Sequence, residues 1–216
     1  MVKVKLCGNQ TEDDVAHTAE ADAQGFIVMA NSRREIELET AAELIARVPP
    51  FTLSVLVTTA TDPLLLHDMV EALSPDALQI HQALSPIQVS RIRRALGGQM
   101  RLVAALGVRE GDPELLDRAQ RLAEAGVDAL VLDSQVGDRL GGTGVTHPWA
   151  QSARVREAVA PFPVILAGGL CAENVAEAIA TVRPYGVDVA SGVESQGRKD
   201  PQKVASLLKQ VRQHER

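Results

Sequence analysis

A thiol and a carboxylic acid stand at matching places in this chain. Cys7 closes the first apolar run, Val2-Lys3-Val4-Lys5-Leu6-Cys7-Gly8, and Asp133 closes a much later one, Ala129-Leu130-Val131-Leu132-Asp133. Each has an ordinary reading when taken alone. Cysteine is among the most buried residue types and packs as a small hydrophobe, and an Asp at a strand end commonly caps the next turn. As the last residues of two strands before polar turns, the two form a candidate proton-transfer pair. A thiol whose pKa is lowered by nearby donors acts as a general base, and a partly buried carboxyl keeps its proton and acts as a general acid.

Three glycine-bearing turns lie downstream of that acid: Gly141-Gly142-Thr143-Gly144, Gly168-Gly169 after Val164-Ile165-Leu166-Ala167, and Ser191-Gly192 after Val187-Asp188-Val189-Ala190. One such turn is only a tight connection. Three on successive units can present unhindered backbone N–H groups to an anion. Asn31-Ser32-Arg33-Arg34 follows the second apolar run, where a guanidinium can clamp a carboxylate with two parallel hydrogen bonds. His81, after Leu78-Gln79-Ile80, is expected at the same rim, either orienting ligand or satisfying a backbone carbonyl.

Composition narrows the ligand. The chain has 216 residues, 45% hydrophobic, with formal net charge −6 and only 2% aromatics. It has neither the basic field nor the stacking platform that nucleic acid requires, so a small molecule is expected, and the glycine turns point to a phosphorylated one. An anionic ligand must then be held by local N–H groups and a few arginines, because the overall field opposes it. Cys7 and Cys171 form no disulfide framework and no metal-ligand spacing. No apolar run approaches the roughly 18 residues that span a bilayer. A cytoplasmic protein with reduced thiols, without nucleic-acid or membrane partners, is the expectation.

The elements that must position these residues are legible in the apolar periodicity. Strands are expected at 2–7, 25–30, 52–58, 77–82, 101–107, 128–133, 162–167 and 186–190. Their Val, Ile and Leu runs lack strict alternation, as in parallel strands covered on both faces. Amphipathic segments at 11–21, 38–48, 62–73, 86–96, 113–125, 149–159, 172–182 and 201–212 separate them. Thr11 with the acids that follow it, Ser85-Pro86, Asp112-Pro113 and Asp200-Pro201 read as helix starts, Gly97 and Gly126 as stops. Eight β/α units predict a single (β/α)₈ barrel over residues 1–216, shorter than the ~250 residues typical of that fold. A doubly wound open sheet fits less well, since no Gly-rich dinucleotide turn follows the first strand. In a barrel the chemistry collects at the strands' C-terminal ends, where Cys7, Asp133 and the glycine turns fall.

In these residues the chain resembles the phosphoribosylanthranilate isomerase family. The resemblance is carried by Lys3-Val4-Lys5-Leu6-Cys7-Gly8, Ser32-Arg33-Arg34, Gln79-Ile80-His81, Asp133, Gly141-Gly142-Thr143-Gly144, Ala167-Gly168-Gly169-Leu170, and Tyr185-Gly186-Val187-Asp188-Val189-Ala190-Ser191-Gly192-Val193-Glu194 with Gly197, Lys199 and Asp200. It runs nearly end to end, in order. It implies an Amadori rearrangement of N-(5′-phosphoribosyl)anthranilate in tryptophan biosynthesis, without metal or organic cofactor, by a monomer or homodimer. It further implies that Asp133 protonates the furanose oxygen, that Cys7 removes the C2′ proton, and that Arg34 pairs with the anthranilate carboxylate. His81, Gly142, Gly144, Gly168, Gly169, Asp188, Ser191 and Gly192 complete the expected substrate contacts, the glycine turns holding the phosphate.

The chain departs from the family pattern at three places: Arg33 where Pro is usual, Gln82 where Gly is usual, and His147-Pro148 in place of Phe-Asp before Trp149. The last change removes the expected cap of the helix at 149. The doubled arginine leaves open whether Arg33 or Arg34 faces the ligand. Two other readings stand beside the isomerase: a related phosphosugar barrel with a changed substrate, and a non-catalytic phosphate-ester binder. Retention of both Cys7 and Asp133 weighs against the second, because only proton transfer needs both.

Overall fold

The computed structural model describes residues 1–136, 139–140 and 146–213. Eight strands run parallel: β1 Lys3–Cys7, β2 Ala23–Ile27, β3 Leu53–Thr58, β4 Ala77–Ile80, β5 Arg101–Val108, β6 Ala129–Val136, β7 Val164–Leu166 and β8 Gly186–Val189. They pair in the order β5-β4-β3-β2-β1-β8-β7-β6, and β6 pairs back onto β5 to close a barrel. The helices alternate with them: α1 Glu12–His17, α2 Leu38–Ile45, α3 Pro63–Leu73, α4 Pro86–Ala95, α5 Leu115–Glu124, α6 Trp149–Ala158, α7 Val175–Val182 and α8 Pro201–Gln213. Arg139–Leu140 folds back antiparallel on the end of β6, and a short hairpin pairs Glu194–Ser195 with Arg198–Lys199 after β8.

Alternation along each strand sorts residues to the two faces of the sheet. Outward residues such as Leu56, Leu78, Leu102, Leu130 and Leu132 pack under the helices with Leu66, Met69, Ile92 and Leu122. Val4, Leu6, Leu166 and Val187 do the same beneath Val175, Val182, Leu207 and Val211. Each fully buried Leu contributes roughly 1.5–3 kcal/mol relative to its exposed state. The inner face differs. It holds a small cluster of Cys7, Ile27, Val55, Val57 and Ala77 beside the buried polar side chains of Lys5, Gln79, Asp133 and Asp188.

Local chemistry sets the element ends. Ser85 accepts from the Gln88 N–H while the Gln88 side chain accepts from the Ser85 N–H, a reciprocal cap with Pro86 in the first turn of α4. Thr11 and Asp200 cap α1 and α8 as expected. Asp112-Pro113 is not a helix start. Helix α5 begins at Leu115, and Asp112 instead accepts from the Glu114 N–H and Arg118. Strand β2 runs 23–27 rather than 25–30, because left-handed φ values at Met29 (53°) and Asn31 (46°) turn the chain out of the sheet. Helix α7 begins at Val175, since Asn174 first closes a turn onto the Cys171 N–H and the Gly169 carbonyl. Among the described residues no helix is long and apolar enough to cross a membrane.

Leu130 is fully buried in the large outer cluster, whereas Phe51 is fully exposed. Leu130→Ala is expected to lower stability by about 2–5 kcal/mol in urea titrations. Phe51→Ser is expected to stay within about 0.5 kcal/mol.

Candidate active site

Asp133 sits on the inner face near the C-terminal end of β6, buried, with its Oδ1 accepting the Ser134 N–H at 2.7 Å. The His81 Nε2 lies 3.5 Å from Asp133 Oδ2, and its Nδ1 lies 3.3 Å from the Gln79 Nε2. His81 therefore faces the acid from the end of β4. Burial pushes the Asp133 carboxyl up to about 7; the Ser134 N–H opposes this, the Asp188 carboxylate reinforces it, and Lys5 opposes it. The sequence reading of a protonated carboxyl agrees with this environment.

Cys7 ends β1 on the same inner face, and Lys5 lies two residues below it. The Lys5 Nζ donates to Asp188 Oδ2 at 2.7 Å, with both side chains buried. Here the sequence expectation needs correction. Burial raises the Cys7 thiol above its ordinary value, and Lys5 and Lys199, which favour the thiolate, only partly offset that desolvation and the repulsion of Asp188. Donors are present near the sulfur, but the low-dielectric pocket outweighs them in the ligand-free protein.

A carboxylate that composition did not single out organises the rim beside Cys7. Glu194 accepts from Arg34 Nε at 2.7 Å and Nη2 at 2.9 Å, from Arg33 Nη2 at 3.2 Å, and from Lys199 Nζ at 3.0 Å. Burial alone would raise its pKa, yet the Arg34 hydrogen bonds and Lys199 hold it at about 2. Lys199 also donates to the Cys7 carbonyl at 2.6 Å, so the network is anchored to the end of β1. The two arginines divide as follows. Arg34 is buried and its stem lies against Gly8, where an added Cβ would overlap Arg34 Cδ; the Arg33 side chain is 66% exposed. Glu194 occupies the Nε–Nη2 edge of Arg34.

The turns at Gly168-Gly169 and Ser191-Gly192 fall at the same end of the barrel. Gly168 and Gly169 have φ values of 88° and 63°, which side chains rarely adopt. A Cβ on Gly168 would collide with the Ser134 hydroxyl and approach Asp133 Oδ1 to 3.1 Å, so the turn after β7 presses on the acid. Ser191 and Gly192 begin a 3₁₀ turn after β8, and a Cβ on Gly192 would overlap the Leu170 carbonyl oxygen. The last two loops are thus in backbone contact. Gly142 and Gly144 lie outside the described residues.

Gln79, Ser134, His147 and Ser152, like Lys5 and Glu194, were given no role from sequence. Gln79 is buried on the inner face with its Oε1 unpartnered. Ser134 Oγ lies 3.1 Å from His147 Nδ1, and His147 Nε2 lies 2.6 Å from Ser152 Oγ. Burial lowers His147 to about 4, so the ring is neutral and links two hydroxyls. The departure at 147–148 has a structural counterpart here: α6 has Pro148 at its N-cap with no side-chain cap hydrogen bond, as the missing Asp implied, while His147 ties Ser152 in its first turn to Ser134. The signal for Lys5 was present as a charge at period two inside an apolar run. Lys199 and Glu194 were visible only in the family motif.

Among the described residues no group of three or more His, Cys, Asp or Glu side chains is placed to hold a metal ion. A closed parallel barrel with an acid, a thiol and glycine turns gathered at one rim is the architecture of a barrel enzyme, whose chemistry sits at the strands' C-terminal ends. The family model for N-(5'phosphoribosyl)anthranilate (PRA) isomerase matches residues 4–210. An N-(5'-phosphoribosyl)anthranilate isomerase of Methanothrix thermoacetophila is 43% identical over 218 residues, covering 98% of this chain and 99% of that protein. The phosphoribosyl anthranilate isomerase of Thermotoga maritima superposes with a TM-score of 0.85 at 30% identity, covering 99% and 100% of the two chains. A phosphoribosyl anthranilate isomerase in complex with reduced 1-(o-carboxyphenylamino)-1-deoxyribulose 5-phosphate gives 0.81 at 29% identity, with the same coverage. The chain belongs to the N-(5'-phosphoribosyl)anthranilate isomerase family.

Asp133 also carries a pH signature. Its folded-state pKa of about 7 lies above the ordinary 3.8, so between those values the folded protein holds a proton that the unfolded chain has lost. Its contribution to stability is complete below pH 3.8 and falls as pH rises to about 7. Asp133→Asn is expected to stabilise the protein at pH 8 by on the order of a few kcal/mol more than at pH 4, measured by urea denaturation at both pH values.

Proposed function

We propose that the protein isomerises N-(5′-phosphoribosyl)anthranilate to 1-(2-carboxyphenylamino)-1-deoxyribulose 5-phosphate, the Amadori step of tryptophan biosynthesis, through Asp133 as acid and Cys7 as base. The observation that carries this reading is the inner-face placement of both groups at one rim, with the acid held at about 7 by its burial. Asp133 gives its proton to the furanose oxygen as the C1′–O bond breaks and the anthranilate nitrogen forms the C=N bond. That positive imine acidifies the C2′ proton, which Cys7 removes as a thiolate. The resulting enol tautomerises to the ketone. Acid and base must approach the sugar from different sides, and side chains on β6 and β1 are separated by two intervening strands in the barrel order.

Arg34 rather than Arg33 takes the anthranilate carboxylate, because its buried guanidinium keeps the Nη1 edge available while Glu194 fixes the other. The turns at Gly168-Gly169 and Ser191-Gly192, together with Gly142 and Gly144, hold the 5′-phosphate. Asp188 Oδ1, buried and unpartnered, accepts from a sugar hydroxyl. The working unit is a monomer or a homodimer, the related isomerase of Thermotoga maritima being described as dimeric. Residence in the cytoplasm, where the thiol stays reduced, follows from the same chemistry.

The test is the decay of phosphoribosylanthranilate fluorescence on adding the protein. Cys7→Ser and Asp133→Asn are each expected to lower kcat by about 10²–10⁴ while circular dichroism stays native. Arg34→Met is expected to act mainly by raising KM. Unchanged turnover in both acid–base variants overturns the mechanism.

A further inference from the structure

We propose that Lys5 and Asp188 form an oriented ion pair that biases the two catalytic groups in opposite senses, the ammonium favouring the Cys7 thiolate and the carboxylate favouring the protonated Asp133. This inference rests on the acid–base reading of Cys7 and Asp133 given above, and it adds a positioning residue, Lys5, to that reading.

The geometry is set by the strand register. Lys5 and Asp188 are direct partners across β1 and β8, and their side chains meet at 2.7 Å inside the barrel. Two residues further along β1 stands Cys7. A Cβ added at Gly25 would lie 2.7 Å from Cys7 Sγ and 3.1 Å from Lys5 Cε, so the glycine of the adjacent strand opens one shared space for the sulfur and the lysine stem. The other facing groups are few. Cys7 also senses Lys199 from beyond β8 and Arg34 from beyond β2, while Asp133 has His81 beside it. Ile27, Val55 and Val57 pack with Cys7 on the same inner face.

The pair matters because the required protonation is inverted. Left to themselves a carboxyl ionises well below a thiol, yet the reaction needs the carboxyl neutral and the sulfur charged. A uniform environment cannot favour both, since burial opposes either charge. A buried dipole can. Lys5 shares its strand with Cys7, whereas Asp188 stands on β8, one place nearer to β6 and Asp133 in the barrel order, so the ammonium is set on the side of the sulfur and the carboxylate on the side of the acid, in keeping with the sense in which each acts on the two groups. The ion pair is neutral overall, which lets it remain buried, and it acts through its direction.

The double variant Lys5→Met/Asp188→Asn isolates this effect, because it removes the dipole without leaving a buried charge unpaired. In a Cys171→Ala background, Cys7 ionisation is read from the pH dependence of iodoacetamide alkylation. Asp133 ionisation is read from ¹³C-Asp NMR, with Asp133→Asn identifying the signal. The double variant is expected to move the two midpoints apart, Cys7 upward and Asp133 downward. Alkylation at pH 7.5 should slow by about tenfold, following the lost thiolate fraction, and kcat should fall at least as far. Lys5→Met alone should raise both midpoints, and Asp188→Asn alone should lower both. An unmoved Cys7 midpoint in the folded double variant, or two midpoints moving the same way in it, overturns the proposal. Neither titration uses substrate, so failure of the isomerase reading would appear separately, as a wild-type protein with normal titrations and no turnover.

Discussion

The parallel pairing of β1 with β8 is the constraint on which the remainder of this molecule depends. It joins the start of the chain to its end, with Val4 opposite Val187 and Lys5 opposite Asp188. Once that register is fixed, a basic residue at position 5 meets an acidic one at position 188. The sulfur at position 7 then stands near the loop that carries Glu194 and Lys199. A slip of one residue would turn Lys5 and Cys7 toward the helices and put Val4 and Leu6 inside. The apolar partners of Val4 and Leu6 on α7 and α8 therefore hold the chemistry in place without touching it.

A barrel interior is a poor solvent for charge, and this one contains several. The energetic solution differs by layer. Lower in the barrel, one cation and one anion neutralise each other. At the rim, a single carboxylate gathers two guanidinium groups and an ammonium, leaving net positive charge beside the mouth of a chain whose total is −6. Between them stand the acid and the thiol, and burial shifts both toward their neutral forms. Removing one member of the lower pair, or Glu194 from the rim, would strand a buried charge, which typically costs about 3–5 kcal/mol. The two knots are thus structural as well as electrostatic.

How far the sequence carried this picture depends on the kind of signal. Eight apolar runs, helix caps at Thr11, Ser85 and Asp200, and the rim positions of Cys7 and Asp133 could be read because each is written locally, in periodicity or in a turn. The end of β2 could not, since left-handed Met29 and Asn31 are chosen by tertiary context rather than by propensity. Asp112-Pro113 misled because a helix-start pair there serves to bind Arg118 instead. The partner of Lys5 lies 183 residues away, and the partners of Glu194 are Arg33 and Arg34, so pairing chemistry of that range has no local trace. The raised thiol was misjudged for the same reason: donors near it were expected, but neither the identity of Lys5 and Lys199 nor the extent of desolvation was foreseen.

The bond from Lys199 to the Cys7 carbonyl has a consequence for biogenesis. A ribosome delivers residue 199 only 192 residues after residue 7, so the sulfur waits through that stretch of synthesis without its support. Contacts of such sequence separation form slowly, and N-terminal segments begin folding before later ones emerge. A nascent chain stalled before the final unit would expose an open sheet with an unpaired edge at β1. The working centre comes into being as a late, all-or-none event of closure.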